Sequence, residues 1–208
     1  MRYSEYFAQP VKFLRLYYNY FLVKWDFRKV LPAYFVNRIE VADCGEELVQ
    51  YQGVWVRRRV AVMLDNAQRA LPPHLEIKVV SGFRDSDEQR VLQMKFPDSR
   101  KVAAESGHST GGAVDVILHY CGKEIDCGSS YLEFTPLTPT WSNMLSRSQQ
   151  RNRFILYNAM IQAGFVNYPL EWWHFCYGDK MYAAYHFEKQ AFYGKAEIPW
   201  QPALFKTE

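Results

Sequence analysis

Two short segments hold the side chains best suited to chemistry, SGHSTGGAVD (Ser106 to Asp115) and EWWH (Glu171 to His174). Together they offer two histidines, an aspartate and a further glutamate. That is the inventory of a catalytic zinc site, with three protein ligands, an open position for water and a base to deprotonate it. Asp115 falls in an otherwise apolar run, GAVDVILHY. A carboxylate there is costly to bury unless it meets a cation or a dense set of donors. His108 sits in a loop whose Gly107, Gly111 and Gly112 allow close backbone approach. Trp172 and Trp173 supply apolar walls beside Glu171 and His174.

The elements that must bring these segments together can be read from periodicity. Val56, Val60, Met63, Leu64, Ala67 and Leu71 recur at helical spacing, so a helix is expected over 55–71, ended by Pro72 and Pro73. A buried strand follows over 75–83. A helix opens after a cap signal at RDSD and runs toward Phe96. Residues 112–120 read as a strand, CGKEIDCG as a hairpin turn with a returning strand, 146–165 as a helix and 171–177 as the last strand. On the 112–120 strand, Ala113, Asp115 and Ile117 share one face, and Val114, Val116 and Leu118 the other. The expected fold class is α+β, a small, mostly antiparallel sheet packed against helices, with a single zinc site on the sheet.

The chain has 208 residues, 49% of them hydrophobic, enough for one core, and a single domain over 1–208 is expected. Its 25 basic and 22 acidic residues balance too closely to argue for nucleic acid. Cys44, Cys121, Cys127 and Cys176 form no CxxC pair and read as reduced thiols, with a Cys121–Cys127 bridge across the hairpin as the alternative. Residues 1–30 read as an aromatic-rich arm or helix, expected to pack on the domain or, given Lys12, Arg15, Lys24 and Arg28, to lie on a membrane surface. It contains no apolar run long enough to span a bilayer and no signal-peptide pattern, so the cytoplasm is the default location, with the periplasm left open.

SGHSTGGAVD also matches the S-x-H-x-x-G-x-A-x-D pattern of zinc D,D-peptidases, and EWWH matches their E-x-W-H. The sequence resembles the D-alanyl-D-alanine dipeptidase family, which includes enzymes associated with vancomycin resistance. That family shares its fold with D,D-carboxypeptidases and the hedgehog signalling domain. The resemblance spans roughly Trp55 to Tyr177 and takes in SGFRD (Ser81 to Asp85) and DCGSSYLEF (Asp126 to Phe134). It implies one Zn2+ per chain held by His108, Asp115 and His174, with Glu171 as general base and Arg84 as the oxyanion-stabilising arginine. It implies a small D-amino-acid peptide as substrate, the free dipeptide first and a muropeptide trimmed by a carboxypeptidase second. A zinc-stabilised domain without turnover is the non-enzymatic alternative. Arg84 also suits a surface ion pair with Asp85 or Asp87. Ser106 reads as a substrate donor or equally as a loop-capping serine, and Trp173 as a wall of the substrate site. The family places an acid after the aromatic of the GSSY stretch. Here Leu132 stands there and Glu133 follows, so Glu133 is the candidate for the substrate ammonium.

Overall fold

The structure, a computed structural model, describes residues 36, 38–97 and 106–199. The aromatic arm expected over 1–30 lies outside the described residues. A hairpin of β2 (Leu48–Tyr51) and β3 (Val54–Arg57) leads directly into helix α1 (Arg58–Ala70). Trp55 and Val56 therefore belong to a strand, and the helix expected from 55 begins three residues later. The reason is the turn. Gln52 and Gly53 both have positive φ, 49° and 86°, the pairing that a two-residue hairpin turn requires.

The main sheet has the order β4 (Leu75–Ser81), β5 (Ala113–Tyr120), β8 (His174–Cys176), β7 (Val166–Asn167), and β6 (Lys123–Glu124) also pairs with β5. Every pairing in it is antiparallel. Apart from it, β1 (Glu40–Val41) pairs in parallel with β9 (Gln190–Ala191). With four helices among the described residues, the chain has the expected α+β architecture.

Strand β5 is buried from Ala113 to Leu118, so it is central and covered on both faces. Val114, Val116 and Leu118 share one core with Val60, Met63 and Leu64 of α1 and with Leu156 and Met160 of α3 (Arg147–Gln162). Helix α2 (Ser86–Lys95) starts at a reciprocal cap, the Asp85 carboxylate accepting from the N–H groups of Asp87 and Glu88. Such a cap is worth about 1 kcal/mol. Asp179 caps the short helix α4 (Lys180–His186) with one bond, its carboxylate accepting from Tyr182 N–H.

Strand β8, expected over 171–177 as the last strand, is shorter and is followed by β9. Residues 171–173 form a turn, with Glu171 N–H donating to Tyr168 O and His174 N–H to Glu171 O. In a strand Trp172 and Trp173 would point to opposite faces. In the turn both are buried, with their rings 5.6 Å apart edge to face. All four cysteines are free thiols, Cys44 and Cys121 exposed, Cys127 and Cys176 buried.

Candidate metal centre

Strand register sets up the site. Ser81 of β4 is the partner of Asp115 on β5, and Asp115 is the partner of His174 on β8. Cross-strand partners point to the same face, so the three side chains form a row. A bulge between Val79 and Ser81 re-aims the end of β4 at this row.

His108 reaches the row from a one-turn 3-10 helix, Gly107–Thr110. That turn ends at Gly111, whose φ of 70° suits glycine. Gly107 is pressed against the Asp179 carboxylate, where an added Cβ would lie 2.1 Å from Oδ2. Both glycines thus have a local steric reason. Ser106 stands at the start of the turn, its Oγ accepting from His108 N–H at 3.3 Å, the loop-capping arrangement.

His108 Nε2, Asp115 Oδ1 and His174 Nδ1 converge. Asp115 Oδ1 is 2.9 Å from His174 Nδ1 and 3.3 Å from His108 Nε2, and the two ring nitrogens are 3.2 Å apart. One ligand atom from each residue lies within 4.8 Å of the others, and all three residues are buried, at 2%, 2% and 7% exposure. His108 Nδ1 donates to Gly82 O at 2.6 Å, which leaves Nε2 unprotonated toward the cluster.

The protonation states of His108 and Asp115 suit a cation, whereas His174 must give up its proton to ligate. Burial pushes the His108 imidazolium pKa down against the pull of Asp115, so the ring is held neutral. Burial alone would raise the Asp115 carboxyl. The two histidines outweigh it and hold that carboxyl well below the usual carboxylate range. Burial would lower His174, but the hydrogen bond and charge of Asp115, reinforced by Glu171, turn its shift upward. Two nitrogen donors and one anionic oxygen in a dry cluster form a fitting donor set for zinc.

Glu171 flanks the cluster. Burial lifts its carboxyl to about 7; Asp115 adds to the rise, and His174 and Arg84 oppose it. Arg84 borders Asp115, its Nη2 3.5 Å from Oδ2 and 3.0 Å from Ser81 Oγ, its Nη1 2.9 Å from Gln89 Oε1. These contacts turn Arg84 toward the cluster and away from the surface pairing with Asp85 or Asp87; Asp87 instead pairs with Arg90. Trp173 is fully buried, its ring edge-on to Tyr131 and Phe134. Glu133 is exposed, and its Oε2 accepts from Ser130 N–H at 2.9 Å.

Sequence reasoning missed several neighbours of the site. Tyr131 donates to Asp115 Oδ2 at 3.0 Å. Buried Asn167 donates to His174 O at 2.9 Å and to Glu171 O at 3.2 Å, tying the Glu171–His174 turn to β7. Buried Asp179 supports Gly107. Tyr131 lies in the GSSY stretch already singled out, so position alone could have flagged it. Asn167 and Asp179 carry no local signal.

Residues 74–192, more than half of the chain, match the family model described as D-ala-D-ala dipeptidase, peptidase family M15. The chain is 26% identical over 192 residues to the D-alanyl-D-alanine dipeptidase of Enterococcus faecium, covering 80% of this chain and 91% of that protein. It is 30% identical over 105 residues to the enzyme of that name from Escherichia coli, covering 49% of this chain and 54% of its relative. A Synechocystis protein of the same name is 32% identical over 108 residues, covering 43% of this chain and 44% of its own length. The matched segment contains every candidate residue of the cluster, from Arg84 to His174, and the chain belongs to the D-ala-D-ala dipeptidase family of M15 peptidases.

Proposed function

We propose that the chain is a zinc-dependent D,D-dipeptidase that hydrolyses free D-Ala-D-Ala. The observation that carries this reading is the convergence of His108 Nε2, Asp115 Oδ1 and His174 Nδ1, with Glu171 and Arg84 beside the cluster. A bound zinc ion supplies Lewis acidity and lowers the pKa of a coordinated water toward about 7. Glu171, lifted toward neutrality by its dry surroundings, takes a proton from the attacking water and delivers it to the leaving amine nitrogen. The water oxygen bonds to the carbonyl carbon, the C–N bond breaks, and two alanines leave. Arg84 is held by Ser81 and Gln89, so its guanidinium meets the developing oxyanion without reorganising. Retention of Glu171 and Arg84 weighs against a non-catalytic domain, because a structural zinc site closes its fourth position and needs neither.

A second reading, a D,D-carboxypeptidase, is favoured by one region. Leu132 offers no charge to a substrate ammonium, and the Glu133 carboxylate already holds Ser130 N–H. An N-acylated substrate has no ammonium to hold.

The test is alanine release from D-Ala-D-Ala, N-acyl-D-Ala-D-Ala and L-Ala-L-Ala by zinc-loaded and chelator-stripped protein. We expect cleavage of the free D,D-dipeptide, lost on chelation and restored by zinc. Full activity without metal, or no D,D-cleavage by the loaded protein, overturns the reading. Preference for the N-acylated substrate selects the carboxypeptidase.

A further inference from the structure

The two oxygens of Asp115 are in different company. Oδ1 faces His174 Nδ1 and His108 Nε2, at 2.9 and 3.3 Å. Oδ2 faces away from both histidines, to Tyr131 OH at 3.0 Å and Arg84 Nη2 at 3.5 Å. The arginine contact lies at the outer limit of a hydrogen bond, and that guanidinium also serves Ser81 and Gln89. The phenol is therefore the main partner of Oδ2.

We infer that the Tyr131 hydroxyl is a positioning group of the metal centre, occupying Asp115 Oδ2 so that the carboxylate offers a metal Oδ1 alone. The inference rests on the metal-site reading above. A carboxylate with both oxygens free can ligate through both. In this cluster a second bond from Asp115 would use coordination space that the water and the substrate carbonyl need. The hydroxyl also keeps the carboxylate plane aligned with the two histidine nitrogens, the role that hydrogen-bond partners of ligating carboxylates commonly have.

Packing holds this arrangement in place. The Tyr131 ring packs edge-on against Trp173, with centroids 5.8 Å apart at 82°, so the hydroxyl is aimed by a buried wall. The ring contact does not depend on the hydroxyl, so phenylalanine keeps the packing and removes only the hydrogen bonds of the hydroxyl, to Asp115 and to Ser81.

The test compares wild type with Tyr131→Phe in zinc affinity by chelator competition and in the visible spectrum of the Co2+-substituted protein. The rise in melting temperature on adding zinc is read for each protein against its own metal-free form, so any effect of the substitution on folding cancels. We expect zinc affinity to fall about 10- to 100-fold. We also expect a smaller zinc-dependent rise in melting temperature and a weaker Co2+ band, the mark of a higher coordination number. Unchanged affinity and an unchanged spectrum in Tyr131→Phe, beside a wild type that binds metal, overturn the inference alone. A wild type that takes up no metal removes the metal-site reading beneath it.

Discussion

The two sides of the site are built by different means. On the metal side, Ser81, Asp115 and His174 are adjacent because three antiparallel strands are in register. On the side of the loop Asp126–Phe134, no described residue is in a strand or helix, and position comes from side chains. Buried Arg153 of α3 donates to Cys127 O, Pro139 O and Thr140 O, at 2.6, 2.7 and 3.4 Å. Its guanidinium also lies 5.3 Å from the centre of the Trp172 ring, whose Nε1 donates to Ser129 Oγ. The contrast teaches where change is tolerated. A ligand fixed by register cannot be moved without repairing three strands, whereas a loop pinned by a few contacts can exchange residues such as Leu132 and Glu133.

The largest expected effect probes the metal side. Glu171→Gln keeps the size of the side chain and removes its basicity, so zinc should stay bound while kcat falls on the order of 10²- to 10⁴-fold. Turnover at the wild-type rate in a zinc-loaded Glu171→Gln protein would remove Glu171 as the base.

An intermediate effect concerns protons at the same cluster. The His174 pKa is raised, and the protonated ring cannot ligate through the nitrogen that carries the proton. Zinc affinity should therefore be highest above that raised pKa. It should fall about tenfold per pH unit below it, as one proton competes for the site. Titrations that show the same affinity from about pH 8 to about pH 5.5 would contradict this assignment.

The smallest effect belongs to the loop. Glu133 is exposed, so removing it should cost no more than about 1 kcal/mol of binding, or up to about fivefold in KM. If Glu133 meets the substrate ammonium, Glu133→Ala raises KM for the free dipeptide and leaves the N-acylated substrate unaffected. An equal change for both substrates identifies Glu133 as the turn cap at Ser130 and nothing more.

The same contrast governs what could be read from the chain. His108, Asp115, His174 and Glu171 were legible because an acid in an apolar strand, a histidine among glycines and a glutamate beside tryptophans each stand out locally. The strand over Ala113–Tyr120 was legible as a short, nearly continuous apolar run, the helices near 58–70 and 147–162 from apolar residues at helical spacing, and the helix near 86–95 from its cap signal. The β2–β3 hairpin was hidden because its strand residues continue smoothly into the helical pattern of α1. The Glu171–Trp173 turn was hidden because Asn167 and Tyr168, its anchors, precede it without any pattern.

Residue types and spacing by themselves picked out the His108, Asp115 and His174 donor set and the class of fold. Tertiary structure alone decided that Tyr131 takes one oxygen of Asp115 and the histidines the other. It alone turned Arg84 to the cluster and left Glu133 at the surface. The physical reason is range. Periodicity and capping act within a few residues of chain, whereas a hydrogen bond from a loop to the far oxygen of a buried carboxylate exists only once strand register has fixed where that oxygen points.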